Sequence, residues 1–281
     1  MTTTTSTTAL PRPEDTPPGT GRSPVERVRL GLSDTLVLIG RSMRHLTRNG
    51  EQLVVAMVLP LVQLLVFRYL FGGAIDTGTT EYASYVIAGL VVVSVCFNAS
   101  STAVSMANDL QEGIVERFRS MPTLEIAVLT GHVVASVARN FLSITIIMAA
   151  GVAVGFRPQA GPGQWLGALA LLLLFVTAVS WLAVIFALVT GTPEGASGLG
   201  LIIVFVPYLS SGFVPAETMP SALRGIAEHQ PFSPLIDAVR GLLLDMPIGD
   251  SAWLATAWWT GALALLVPLA AALFRRRRAT V

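Results

Sequence analysis

Side chains able to act on another molecule are few in this 281-residue sequence, and one group of them falls in a single stretch. Asp109, Glu112, Glu116, Arg117 and Arg119 lie between Asn108 and Pro122. Ile114, Val115 and Phe118 leave an apolar patch among those charges, the pattern of a helix that docks into a groove on another protein. A solvated loop has a similar composition, and both readings stay open on the residues alone. Other chemistry is poorly supplied. All 18 lysine-or-arginine positions are arginine. A P-loop needs the lysine of G-x-x-x-x-G-K-[ST] to reach the β/γ-phosphates, so the chain cannot carry that motif. Gly195, Gly198 and Gly200 are therefore not a phosphate loop. His45, His132 and His229 fit no H-E-x-x-H pattern, and Cys96 is the single cysteine. Neither a Cys-cluster metal site nor an intramolecular disulfide is possible. No catalytic residue, metal ligand or bound cofactor is expected on this chain.

The elements that must position these residues are membrane helices. The chain is 53% hydrophobic and 12% charged, against about 45–50% and about 25% in a soluble domain. Its net charge of +1 gives no basic surface for nucleic acid. Asking where about 20 residues pass almost without charge yields six spans, at about 53–71, 85–107, 135–156, 165–189, 198–213 and 253–274. Arg68 interrupts the first near its far end, and Arg139 lies near the cytoplasmic end of the third. The third is blurred at its start because 126–138 is also uncharged. The sixth stops at Arg275, Arg276, Arg277 and Arg278.

Outside the spans, residues 1–24 are rich in Thr and Pro, cannot bury enough surface to offset ordering, and read as a disordered tail. They contain no apolar core of a secretory signal. The transmembrane domain then covers 25–281. It opens with Val25, Val28, Leu32, Leu36, Ile39, Met43 and Leu46, one apolar helical face flanked by arginines, as in a helix lying in the membrane interface. Between spans five and six, Pro215, Pro220, Pro231, Pro234 and Pro247 punctuate two short apolar segments. These read as re-entrant outer helices, with Ser233 as the N-cap of the second and Pro234 in its first turn. Arginine bias in the short loops places both termini in the cytoplasm. The fold class is all-α.

None of the six spans holds Asp or Glu, which disfavours proton or sodium coupling, since such transport uses intramembrane acids. Asn98, Ser100, Ser101, Thr102 and Ser105 make the second span polar in its cytoplasmic half. They suit either a substrate path or hydrogen bonds between helices. Phe205, Tyr208 and Phe213 suit stacking on a flat ligand or ordinary packing.

Several of these residues carry a resemblance. Phe71-Gly-Gly-Ala ends the first span, and Glu81-Tyr82 leads into Gly89-Leu90. Asn108-Asp109, Gly113, Glu116-Arg117-Phe118-Arg119 and Pro122 follow. Gly155-Phe156-Arg157-Pro158, Pro215-Ala216, Met219-Pro220, Gln230-Pro231 and Ala238-Val239-Arg240-Gly241 complete the series. The chain resembles the ABC-2 type permeases, and within them the daunorubicin/doxorubicin-resistance permease B group of actinobacteria. The resemblance implies two six-span permeases paired in the bacterial cell membrane, driven by two copies of a cytoplasmic ATPase that carries ATP and Mg. It implies export of hydrophobic drugs or lipids, with lipid-linked polysaccharide export as a sister reading; a non-transporting sensor or assembly subunit is a further alternative. Asp109, Glu112, Gly113, Glu116, Arg117, Phe118, Arg119 and Pro122 would then meet the ATPase, and Pro215, Pro220 and Pro231 would belong to the outer gate. Arg68 departs from the small or apolar residue expected there; it suits snorkelling to the interface or a lipid phosphate. The purified chain alone is expected to release no phosphate from ATP. Turnover in a preparation proven free of contaminating ATPases would contradict this division of labour.

Overall fold

The computed structural model describes residues 50–72, 81–113 and 125–278, without the side chains of 50–57, 125–128 and 277–278. The tail at 1–24 and the expected interfacial helix at 25–46 lie outside the described residues. Among the described residues eight α-helices follow in order: α1 Gly50–Val66, α2 Tyr82–Gln111, α3 Glu125–Val154, α4 Pro162–Thr190, α5 Pro193–Phe205, α6 Ser221–His229, α7 Phe232–Leu244 and α8 Ser251–Arg278. A π-helical turn at Phe67–Phe71 extends α1, and a 3-10 turn at Val206–Leu209 extends α5. Among the described residues there is no strand. Among the described residues, four helices are long and apolar enough to cross a membrane: α2, α3 from Leu129, α4 and α8. Val58–Phe71 and Pro193–Leu209 are shorter apolar helices.

Local chemistry sets most of these ends. At the start of α4, the Gly161 N–H is met by Gln164 Oε1 at 2.6 Å, and Pro162 occupies the first turn. Gly191, at φ 68°, closes the same helix by donating its N–H to Ala187 O. Thr192 Oγ1 accepts the Gly195 N–H at 3.2 Å and begins α5 with Pro193. The fifth apolar helix therefore runs over Pro193–Leu209 rather than the expected 198–213, and residues 210–213 form a turn. Helix α3 starts at Glu125, so the blurred stretch 126–138 is helical, and Gly155 at φ +120° ends it before Phe156.

Helix α2 is the centre of the bundle. It packs against α5, α3, α4, α1 and α7, and every residue from Tyr82 to Cys96 is buried. Hydrocarbon gives helices no hydrophobic reason to associate, so close contact depends on small residues that let backbones approach. Two places on α2 show this. A Cβ on Gly89 would stand 2.8 Å from Gly212 O and 3.1 Å from Gly212 Cα. A Cβ on Gly200 of α5 would overlap the Ser100 side chain. Helices α1 and α8 occupy the margins: α1 packs on α2 and α3, whereas α8 packs on α4 and α7.

Gly89→Leu is expected to destabilise the fold by about 1–3 kcal/mol through overpacking against the Gly212 backbone. Gly163→Leu, where nothing lies within 4 Å of the added Cβ, is expected to change little. Thermal unfolding of the two variants in one detergent checks the difference.

Candidate functional site

After α5 the chain turns through Ser210, Ser211, Gly212 and Phe213 and is held in place by α2 and α7. The α7 residue Arg240, only 7% exposed, is the centre of that hold. Its Nε donates to Tyr85 O at 3.0 Å, Nη2 to Ser211 O at 2.9 Å and Nη1 to Asp237 Oδ1 at 2.8 Å. The guanidinium also lies 3.7 Å from the centre of the Tyr85 ring. Tyr85 Oη donates to Ser211 O at 2.6 Å, Tyr82 Oη to Phe213 O at 3.2 Å, and Ser211 Oγ to Asp237 Oδ1 at 2.9 Å. A planar fork with five donors can serve acceptors on three elements and stack on an aromatic face at once; an ammonium cannot. Asp237 on the same helix supplies the compensating charge a buried cation requires.

The expected N-cap of α7 is not one. Ser233 lies inside Phe232–Leu244, and Pro231 precedes that helix. Ser233 Oγ accepts the Ser211 N–H at 3.2 Å and donates to Ala227 O at 2.5 Å, so it joins the turn to the end of α6. Pro215 and Pro220 stand before the 3-10 turn Ala216–Thr218 and before α6, so each of the three expected gate prolines starts a helical element.

Beside this turn lies an aromatic cluster. Tyr208 stacks on Phe213 with centroids 4.9 Å apart, and Phe213 lies 4.9 Å from Phe67. Phe205 lies 6.2 Å from Tyr208. Gln63 Nε2 of α1 donates to the Tyr208 hydroxyl. Phe213 is buried, while Phe205 is 60% exposed. The three expected aromatic residues are thus brought together at the join of α1 and α5. Asn98 and Ser101 sit elsewhere. Asn98 is wholly buried and donates to Asn140 Oδ1 of α3 at 3.2 Å. It belongs to a polar seam: Ser94 meets Ser143 at 2.8 Å, Thr102 donates to Ser136 Oγ at 3.0 Å, and Ser180 of α4 donates to the same Ser136 Oγ at 2.8 Å. Ser101 Oγ turns back to Phe97 O at 3.4 Å. Of the two uses open to the polar half of this helix, Asn98 and Thr102 make bonds between helices.

At the other end, Asp109 and Glu112 finish α2. Gly113 at φ +67° follows, with its N–H directed to Leu110 O. The stretch 109–122 is therefore not a single helix: Asp109 is in the last turn of α2, and the left-handed glycine ends it. Asp109 Oδ2 lies 3.2 Å from His132 Nε2, joining α2 to α3. Glu116, Arg117, Phe118, Arg119 and Pro122 lie outside the described residues. Arg68 pairs with Glu81 at 2.5 Å beside Gly155; a protein carboxylate thus meets the charge that snorkelling or a lipid phosphate would otherwise satisfy. Among the described residues no group of three His, Cys, Asp or Glu is placed to hold a metal ion.

The ABC-2 type transporter family model matches residues 33–244. The chain belongs to that family. The daunorubicin resistance ABC transporter permease protein of Streptomyces coeruleorubidus is 30% identical over 249 residues, 88% of each chain. The probable doxorubicin resistance ABC transporter permease protein of Mycobacterium tuberculosis is 23% identical over 253 residues, 90% of this chain and 91% of that one. The Arg240 clamp is the part of this ABC-2 chain that residue spacing did not expose. Its signal was an arginine three residues after an aspartate inside the apolar run 235–244.

Arg240→Ala is expected to cost about 3–5 kcal/mol, because Asp237 and the turn carbonyls lose their partner. Arg240→Lys is expected to recover only part of that, since one ammonium cannot serve all these acceptors. Thermal unfolding, with limited proteolysis at the 210–213 turn, measures both.

Proposed function

We propose that this chain is the membrane-spanning permease of an ATP-driven exporter that moves hydrophobic drugs or lipids out of a bacterial cell. The observation that carries this reading is the end-to-end likeness to a daunorubicin resistance permease, over 88% of both chains. The chain's own chemistry supports it. No lysine is present for a P-loop, so the energy comes from a separate ATPase that holds ATP and Mg. The aromatic cluster and the Arg240 clamp leave the permease to supply a path and an outer closure.

In this reading the four long helices are joined by Val58–Phe71 and Pro193–Leu209 as the first and fifth of six spans, with both termini cytoplasmic. Helices α6 and α7 enter from the outer side without crossing and, with Pro215, Pro220 and Pro231, form the gate. Two copies pair, and two ATPase copies bind beneath them. The exposed apolar side chains Val62 and Leu65 on α1 and Ile202 and Phe205 on α5 offer a face for the second copy, with Phe205 and Tyr208 beside the substrate path. Asp109 and Glu112 lead from the end of α2 into the stretch through Pro122, which meets the ATPase.

The test is charge reversal in that stretch. Glu116→Lys and Arg119→Glu are expected to insert normally but to lose ATPase co-purification and at least about tenfold of substrate-stimulated ATP turnover, since misplaced like charges at an interface cost several kcal/mol. Wild-type export and stimulation in both variants would remove the coupling role from 109–122.

A further inference from the structure

A cavity of about 710 Å³ lies on the flank of the bundle, bounded by α8, Leu182 of α4, Ile203 of α5 and the start of α7 at Pro231 and Phe232. Its volume is within the range of small-molecule sites, about 300–1,000 Å³. Its chemistry is one-sided. The lining side chains include no charged group, hydroxyl, amide or carboxylate, and their only polar atoms are the indole N–H groups of Trp258 and Trp259. Trp259 is held edge-on by Phe175 and Phe232, at 4.6 and 5.4 Å, and its Nε1 is buried without an acceptor. The groove opens along α8 where Leu254, Trp258 and Leu265 are 43%, 52% and 72% exposed. From Leu254 to Leu266 it follows about 18 Å of helix.

We propose that this groove seats one acyl chain of a bilayer phospholipid. The wall is hydrocarbon, and its side chains offer no acceptor. A phospholipid's fatty-ester region matches that, being hydrocarbon with carbonyl acceptors and no donors. A drug with several hydroxyl or amine groups does not: each donor buried there would lack an acceptor, at about 2–7 kcal/mol for a group left without any hydrogen bond. The opening lies on the apolar surface of a helix long and apolar enough to cross a membrane, and with that helix as a span of the permease the bilayer itself is the adjoining phase. A chain seated there touches α8 on one side and Pro231 and Phe232 on the other, and so braces the outer segment that follows the 210–213 turn. The α1 and α5 face proposed for pairing is separate, because α1 packs on α2 and α3 while α8 packs on α4 and α7.

The test uses the full permease without any ATPase, so its outcome is independent of the transport reading. Native mass spectrometry in mild detergent, with added phosphatidylglycerol, reads a retained lipid. Brominated-chain phosphatidylcholine in nanodiscs reads proximity by quenching tryptophan fluorescence. A Cβ at Gly261, a lining residue on α8, meets nothing within 4 Å, so Gly261→Phe fills the groove without touching the backbone packing. Wild type is expected to retain one lipid per chain. Gly261→Phe is expected to lose it together with the part of the quenching that comes from buried Trp259, while Gly163→Phe keeps both. Should Gly261→Phe fail to fold, the smaller Gly261→Leu is read the same way. Equal lipid retention and quenching in the filled variant would overturn the proposal, as would a wild type that retains no lipid. Efficient disulfide pairing of two copies through Leu265→Cys in a Cys96→Ser background would also overturn it, by placing protein where the acyl chain belongs.

Discussion

The Arg240 guanidinium donates to backbone carbonyls of two other elements and to Asp237 beside it, and the position of the 210–213 turn follows from those partners. A backbone segment that has left its helix inside or near hydrocarbon must find hydrogen-bond partners in protein. Ser211 finds three: Arg240 and Tyr85 serve its carbonyl, and Ser233 Oγ accepts its N–H. With the turn held there, Gly212 rests against Gly89, which brings the end of α5 onto the first turns of α2. The tight packing of α2 against α5 thus depends on a polar interaction at one end and on glycines along its length.

The same constraint governs the interior. Helices α2, α3 and α4 share a ladder in which Ser94, Asn98 and Thr102 face Ser143, Asn140 and Ser136, with Ser180 joining from the third helix. Each such bond contributes modestly, about 0.6 kcal/mol on average in membrane helices. Their spacing matters more than their sum. Residues four apart on α2 meet residues three or four apart on α3, so a sliding of one helix would leave several polar groups unpaired in hydrocarbon. A bundle built this way keeps α2 buried at its centre and leaves exposed apolar side chains on α1, α3, α4, α5 and α8.

Much of this was legible in the residues. The charge-free runs at 85–107, 165–189 and 253–274 lie within α2, α4 and α8, because long uninterrupted hydrocarbon compatibility has few other causes. Capping signals were less dependable. Thr192 and Pro193 start α5 as local rules require, but Ser233 is drawn into bonds with Ser211 and Ala227, a tertiary demand that no local pattern reveals. Gly113 ends α2 inside the charged stretch whose composition suits a docking helix or a solvated loop. Charged residues were read by position alone, so Arg68, Arg240 and Asp109 were placed while their partners Glu81, Tyr85 with Ser211, and His132 were not. Pairing is a property of the packed helices, and spacing along one helix reaches it only for neighbours such as Asp237 and Arg240.

As a member of the ABC-2 family without the lysine of a P-loop, this chain is proposed to be one part of a divided machine. Purified permease can be placed in liposomes with and without its ATPase, and movement of a fluorescent hydrophobic substrate followed in each. Transport that needs both chains and hydrolysable ATP, and that persists after proton and sodium gradients are collapsed, is the result expected. Transport by the permease alone, driven by an ion gradient and indifferent to ATP, would contradict the account.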